Sequence, residues 1–326
     1  MRRALLATAA LAGALLAACG STGASPPATT PTHASTSAFP VSVQSGDGTV
    51  HIPSRPTRIL SLSASATQML YAVGAGPQVV GVDKYSTYPP GTPRTKFTGY
   101  ESSAEDYLPL RPDLVLLAFN TTNLVAQLEK LHIPTLLLPP ATTIAGSYQQ
   151  IAEIAAATGH SAAARRIVAG IAADLSRVAR SVGNRVRGDT YYIEYDPTLY
   201  SGTSKTFAGA LFSKLGMVDI ADAAARAGST YPQLSAEYLV KANPDYVFLA
   251  DTICCGQTPK SFAARPAFST LRAVHLGHVF PVNDSVASEW GPHSLETFFA
   301  LIAKDVTTPS ASGASARPSS GSGSSG

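Results

Sequence analysis

Short apolar runs alternate along this chain with longer segments that have the hydrophobic spacing of helices. Runs of four or five apolar residues in each half of the chain are typical of strands buried on both faces. Strands that alternate with helices form parallel sheets, so the pattern predicts an α/β protein. An alternating segment at 41–52, around Gly46-Asp47-Gly48, predicts a hairpin before them. The predicted buried strands are 59–62, 79–82, 114–118, 135–138, 191–195, 218–220, 246–250 and 279–282. Residues 63–67 are predicted to be the loop after the first strand, and a single helix is predicted over 261–273.

A helical region without a strand separates the two halves. Residues 144–158 have helical spacing and end at Gly159, and a second helix is predicted over 161–182. That second helix is about 30 Å long at 1.5 Å per residue. The chain is therefore predicted to form two Rossmann-like lobes with parallel-type sheets, joined by a single long rigid helix.

One longer pattern occurs twice, at 105–118 and at 237–250. Each copy has a Glu, six residues, Pro-Asp and an apolar run. A carboxylate suits the start of a helix, and the residue before Pro disfavours helix, so each copy predicts a short helix, a stop and a strand. Glu105 and Glu237 then hold matching places in two similar lobes. The alternative interpretation is a common helix–strand joint with a solvated acid.

Both ends of the chain differ from its middle. Arg2, Arg3 and a short apolar segment lead to Leu16-Ala17-Ala18-Cys19, which is typical of a lipoprotein signal with lipid attached at Cys19. The predicted location is therefore the extracytoplasmic side of the cell membrane, with a lipid anchor. The predicted organisation is signal peptide 1–18, disordered tether 19–38, N-terminal lobe 39–158, linker helix 159–184, C-terminal lobe 185–306 and disordered Ser/Gly-rich tail 307–326.

Composition excludes several classes of protein. Lys and Arg total 24 against 21 Asp and Glu, without a basic run, so no nucleic-acid partner is expected. The sequence has no nucleophile elbow, phosphate loop or metal-ligand spacing, so we expect no enzyme activity, cofactor or metal. Besides Cys19 there are only Cys254 and Cys255. That adjacent pair either contacts a ligand or forms a bridge.

Several motifs in order carry a resemblance to a known family. They are Pro56-Thr57-Arg58-Ile59-Leu60-Ser61-Leu62, the helix 66–74, Val80-Gly81-Val82, Tyr85-Ser86-Thr87-Tyr88-Pro89 and the doubled Glu motif. Together they resemble class III substrate-binding proteins of ABC importers, over most of residues 50–305. The resemblance implies a monomer with a ligand cleft between its lobes. It also implies an importer permease, with its ATPase, as partner, and Glu105 and Glu237 as the residues that dock to the permease.

The ligand is expected to be bulky. The segment 85–90 is most similar to cobalamin binders, and a ferric siderophore or haem is the alternative. Many members have Gly-Pro-Arg where this chain has Gly291-Pro292-His293, which leaves an Arg-mediated anion contact without its Arg. An exported enzyme or a surface adhesion protein on the same frame is the alternative from another class.

Large aromatic side chains with a polar tip suit a flat macrocycle or an aromatic chelate. Ordinary core packing is the alternative for each of them. Tyr85 and Trp290 are expected to lie in loops, so Ala at either position should weaken binding by about 2 kcal/mol or more and leave folding intact. The candidate ligand-binding residues are Ser65, Tyr85, Tyr100, Asn120, Tyr195, Tyr200 and Trp290.

Overall fold

The computed structural model describes residues 39–226 and 228–308. A hairpin of β1 (Val41–Ser45) and β2 (Gly48–Ile52) precedes two four-stranded sheets whose strands all pair in parallel. The predicted α/β class with two lobes is confirmed. The sheet strands are β3 (Ile59–Leu62), β4 (Val79–Val82), β5 (Leu114–Leu117), β6 (Thr135–Leu137), β7 (Thr190–Glu194), β8 (Val218–Asp219), β9 (Tyr246–Leu249) and β10 (Val279–Pro281).

The two sheets have the same topology. The order is β4-β3-β5-β6 in the first and β8-β7-β9-β10 in the second. In each lobe the second strand therefore lies at one edge, next to the first, and the third and fourth follow on the other side. This shared order agrees with the duplication seen in the sequence.

Helices connect the strands and separate the two lobes. The predicted long helix is present as α5 (Ser161–Val182). Helices α1 (Ala64–Val73), α4 (Ile144–Thr158) and α12 (Pro292–Asp305) pack around it, and α1 also packs against α4 and α12. Among the described residues, no helix combines the length and apolar character needed to cross a membrane. The helices are α1 (Ala64–Val73), α2 (Ala104–Tyr107), α3 (Leu124–Lys130), α4 (Ile144–Thr158), α5 (Ser161–Val182), α6 (Phe207–Lys214), α7 (Ala236–Ala242), α8 (Thr252–Cys255), α9 (Pro259–Ala263), α10 (Arg272–Leu276), α11 (Asp284–Ser288) and α12 (Pro292–Asp305).

One hydrophobic core runs through both lobes. It contains Leu116 on β5 in the first sheet, Phe248 on β9 in the second, and Ile171 and Leu175 on α5 between them. Each lobe has a further core, represented by Leu128 in the first lobe and Phe262 in the second. Because close-packed cores resist deformation, the lobes are held together by this shared core as well as by α5.

The doubled motif folds alike in both lobes. The residue before Pro, Arg111 in one copy and Asn243 in the other, has positive φ (44° and 47°) and ends the helix. The carboxylate of Asp113 then accepts hydrogen bonds from Thr57 N and Oγ1 at 2.8 and 2.9 Å. Asp245 makes the same two bonds, at the same distances, with the first strand of its own lobe. The Pro-Asp pair therefore ties the third strand of each lobe to the first.

The structure corrects some of the predicted elements. Helix α1 starts at Ala64, capped by Ser63, so most of the predicted loop 63–67 is helical. The single helix predicted over 261–273 is instead α9, a 3₁₀ turn and α10, because Pro266 cannot continue a helix and Ala267 has positive φ. The signal peptide, Cys19 and nearly all of the tether and tail lie outside the described residues.

Candidate functional site

A cleft of about 680 Å³ lies where the carboxyl ends of the strands meet. This is within the roughly 300–1,000 Å³ typical of small-molecule sites. Ligands of parallel α/β sheets bind outside the carboxyl ends of the strands, so the fold itself selects the position. Several lining residues come just after a strand. Ser63, Asp83 and Tyr195 directly follow β3, β4 and β7, Phe119 lies two residues after β5, and Asp284 lies three residues after β10.

Aromatic rings form much of the wall from the first lobe. Tyr100 packs against Phe119 with ring centroids 5.2 Å apart, and Tyr85 is 50 % exposed. The Lys84 ammonium lies 5.0 Å from the Tyr85 ring centroid but is not among the lining residues. These rings offer a broad apolar surface with polar tips.

The second lobe contributes a matching aromatic pair. Tyr195 packs edge-on against Tyr231, with centroids 5.9 Å apart. Burial raises the pKa of Tyr195 well above its usual value and also raises the pKa of Tyr231 and Tyr100. All three therefore act as neutral phenols near pH 7.

Trp290 joins the two lobes at the cleft wall. Its backbone N–H donates to Ser65 Oγ at 3.0 Å, and its indole N–H donates to Gln150 Oε1 at 2.7 Å. Ser147 donates to its carbonyl at 2.6 Å. Trp290 is only 8 % exposed and belongs to the shared core. The expectation that it contributes little to folding is therefore wrong.

Three carboxylates line the cleft: Asp83, Asp284 and Glu289. Asp83 accepts hydrogen bonds from Ser86 N and Oγ, yet its burial raises the pKa of its carboxyl. Burial raises the pKa of Glu289 to about 7, and the charge of Asp83 adds to this shift. The described lining contains no Lys, Arg or His. The electrostatic character of the cleft is therefore acidic.

His293 occupies the position at which many members of the resembling family have an Arg. Its ring stacks on Tyr88 with centroids 3.6 Å apart and an angle of 4° between the planes. Burial lowers the pKa of His293, so the ring is neutral at pH 7. It supplies no positive charge to the cleft.

Five of the seven predicted ligand-binding residues line the cleft together: Ser65, Tyr85, Tyr100, Tyr195 and Trp290.

Asn120 and Tyr200 are not in the described lining. Asn120 Oδ1 accepts from Val125 N at 3.1 Å and so caps α3. Tyr200 pairs through its backbone with Asp196 and Gln233, and its side chain is 43 % exposed. Local hydrogen bonding thus accounts for the position of the Asn120 side chain.

The two predicted docking residues are both exposed. Glu105 and Glu237 each sit at the second position of a helix capped by a serine. Hydrogen bonds lower the pKa of both carboxyls: chiefly the Ser103 hydroxyl for Glu105, and for Glu237 its own backbone N–H and the Ser235 hydroxyl. Each therefore offers a hydrated, ionised carboxylate.

Sequence reasoning missed several lining residues, among them Asp83, Phe119, Tyr231, Asp284 and Glu289. A signal existed for three of them, because Asp83, Phe119 and Asp284 closely follow predicted strands and so belong to the carboxyl edge of a sheet.

An ionic cluster in the second lobe includes Glu194, the residue before Tyr195. The buried Glu194 carboxylate accepts two hydrogen bonds from the Arg265 guanidinium. Nη2 donates to Oε1 at 2.7 Å and Nη1 donates to Oε2 at 2.8 Å. Asp251 is fully buried beside it, and neither of its carboxyl oxygens has a hydrogen-bond partner of normal geometry among the described residues. Burial, together with the Glu194 charge, raises the pKa of Asp251 to about 7.

Replacing Asp251 with Asn should raise the melting temperature at pH 8 and change it little at pH 4. The folded-state pKa lies above the unfolded value of about 4, so the stabilisation by the protonated carboxyl is fully present below about pH 4 and is lost progressively as the pH rises through about 7. Asp174→Asn, at an exposed position on α5, is the matched control and should show no such trend. An equal gain for Asp251→Asn at both pH values would contradict this explanation.

Cys254 and Cys255 form a disulfide with each other at the end of α8. Of the two interpretations of this pair, the structure shows the bridge. The carboxylate of the cleft residue Asp284 accepts hydrogen bonds from the backbone N–H groups of Ile253 and Cys254, at 2.9 and 2.7 Å.

Among the described residues, no group of three or more His, Cys, Asp or Glu could hold a metal ion.

Two lobes with a shared core and an aromatic cleft at their strand ends are the architecture of a solute-binding protein. Comparison with known proteins agrees. The family model described as periplasmic binding protein matches residues 59–285, and the chain belongs to this family of extracytoplasmic binding proteins.

Individual relatives are similar over most of their length. A cobalamin-binding protein of Halobacterium salinarum is 31% identical over 306 residues, which cover 90% of this chain and 82% of that protein. The uncharacterized ABC transporter substrate-binding lipoprotein YvrC of Bacillus subtilis is 28% identical over 271 residues, covering 80% and 84%. The solved periplasmic heme-binding protein RhuT of Roseiflexus sp. RS-1 shares the fold, with a TM-score of 0.68, 21% identity and coverage of 77% and 98%.

Proposed function

We propose that this protein captures cobalamin, or a related corrinoid, outside the cytoplasm and delivers it to an ABC importer. The observation that carries the proposal is the cleft, whose aromatic walls are combined with carboxylates and, in the described lining, no cation. Cobalamin offers a flat macrocycle for the aromatic rings and a rim of amide side chains that donate hydrogen bonds to carboxylates. The name of the relative from Halobacterium supports the same ligand.

A haem or ferric siderophore is the second candidate, favoured by the four lining tyrosines and by the fold shared with a heme-binding protein. Two observations weigh against it. The propionates of haem would meet Asp83 and Glu289 without a lining cation to balance them. A tyrosine that binds ferric iron must lose its proton, and burial raises the pKa of Tyr100, Tyr195 and Tyr231.

Delivery of the ligand involves both the membrane and the permease. The chain acts as a monomer, held at the membrane by lipid on Cys19. Glu105 and Glu237 face the importer permease, whose ATPase drives transport. The description of YvrC as an ABC transporter substrate-binding lipoprotein supports this arrangement. Two exposed, ionised carboxylates on similar lobes also suit pairing with arginines of a partner.

Mass spectrometry of protein purified natively from cobalamin-fed cells tests the proposed ligand. We expect a corrinoid to co-purify in near-equal amount with the protein. The Tyr85→Ala variant should carry clearly less, and Glu129→Ala, on α3 outside the cleft, should carry as much as wild type. Recovery of haem or an iron chelate in place of a corrinoid would overturn the cobalamin proposal in favour of the second candidate.

A further inference from the structure

Glu289 is held at the cleft by a hydrogen-bond network that joins the two lobes. Gln68, on α1 of the first lobe, and Ser294, on α12 of the second, are both buried. Gln68 Nε2 donates to Glu289 Oε2, and Ser294 Oγ donates to the same oxygen at 3.0 Å. The carboxyl group is thus fixed by one side chain from each lobe.

The orientation of the Gln68 amide is determined by its neighbours. The backbone N–H of Ser294 can only donate, and it donates to Gln68 Oε1 at 3.1 Å. The amide nitrogen must therefore be the end that points to Glu289. A Cβ at Gly291 would lie 2.8 Å from Gln68 Cβ and Cδ, so glycine at this position leaves the room that Gln68 occupies.

The network engages only one of the two carboxyl oxygens of Glu289. Both hydrogen bonds that the described residues make to this side chain end on Oε2. Oε1 is left for a ligand, or for a proton when the group is neutral. Asp83, at the same cleft, makes a second negative charge unfavourable there.

We propose that Glu289 makes the cleft select ligands that present an amide edge and reject the same ligands when that edge is a carboxylate. This rests on the proposed corrinoid function and adds the feature of the ligand that is recognised. An amide NH₂ can donate to Oε1 of ionised Glu289, and an amide carbonyl can accept from the protonated group. A ligand carboxylate is repelled by ionised Glu289 and can accept a hydrogen bond only from protonated Glu289. The carboxylate ligand therefore binds less tightly than the amide ligand.

Calorimetric titration with cyanocobalamin and with its monocarboxylic acids tests the proposal, because these compounds differ by one amide turned into a carboxylate. Wild type should bind cyanocobalamin at least about tenfold more tightly than one of these acids. In Glu289→Gln, the side-chain oxygen can accept from Gln68 and Ser294 as before, and the new amide nitrogen can donate to a carboxylate. The preference for cyanocobalamin over that acid should then fall to about threefold or less.

Glu101→Gln is the matched control, since Glu101 is exposed beside Tyr100 and is not a lining residue. It should keep the wild-type preference. If wild type bound cyanocobalamin and every monocarboxylic acid equally, this inference alone would be overturned. That measurement does not depend on the folding of any variant. An equal loss of preference in Glu101→Gln and Glu289→Gln would also overturn it, because distant charge would then suffice. Failure of wild type to bind any corrinoid would overturn the proposed function itself.

Discussion

Uptake of ligand into cells should fall by about tenfold or more when Glu105 and Glu237 are both replaced by Ala, while the affinity of the purified protein for its ligand stays unchanged. Both carboxylates are exposed and are not in the described cleft lining, so neither fold nor cleft depends on them. Against permease arginines each would form a charge-assisted pair. Loss of one such carboxylate leaves an unpaired Arg at the interface, at a cost of roughly 2–5 kcal/mol.

The design of that experiment separates docking from net charge. A double variant of Glu129 and Asp174 to Ala removes the same two charges from exposed positions elsewhere and should keep full uptake. Replacing Glu105 and Glu237 with Arg should reduce uptake more than replacing them with Ala. The new positive charges repel the permease arginines in addition to removing the ion pairs. Full uptake by the Glu105/Glu237 double Ala variant would remove the docking role and leave two solvated acids at helix starts.

Replacing Trp290 with Ala should cost about 3–5 kcal/mol of the free energy of unfolding, a large share of the roughly 5–15 kcal/mol typical of folded proteins. The ring is 8 % exposed in the core shared by both lobes, and its indole N–H is bonded to Gln150. Chemical denaturation measures the loss. Tyr85→Ala, at a ring 50 % exposed, should change the unfolding free energy little.

Trp290→Phe isolates the hydrogen bond from the packing. It keeps most of the buried apolar surface but leaves Gln150 Oε1 without the indole donor, so we expect a loss of about 1–2 kcal/mol. An unfolding midpoint equal to that of wild type for Trp290→Ala would show that Trp290 does not hold the lobes together.

Most helices and strands of the fold could be predicted from local sequence signals. The long helix was predicted with the bounds that α5 has, because its apolar stripe is continuous and glycines lie just before and after it, at Gly159 and Gly183. Buried parallel strands gave short uninterrupted apolar runs, which polar loops delimit clearly. The break at Pro266 was also readable, since proline cannot continue a helix, and the prediction over 261–273 passed over it.

The site was less predictable because its residues come together only in the folded chain. Glu289 is positioned by a hydrogen bond from Gln68, which lies 221 positions earlier in the sequence. No local sequence pattern predicts such a contact. Asn120 was assigned to the ligand, but its side chain caps α3, a local use that its spacing from Val125 allows. Trp290 lines the cleft, and its part in the core depends on helices from both lobes.

Fluorescence titration with cyanocobalamin tests the central claim most directly, because the only tryptophan of the chain, Trp290, lines the cleft. We predict saturable quenching of its emission with one ligand bound per chain. Tyr85→Ala should raise the Kd by about thirtyfold, the equivalent of roughly 2 kcal/mol. If cyanocobalamin caused no saturable quenching while haemin bound with one-to-one stoichiometry, the cleft would be an iron-ligand site and the cobalamin assignment would be wrong.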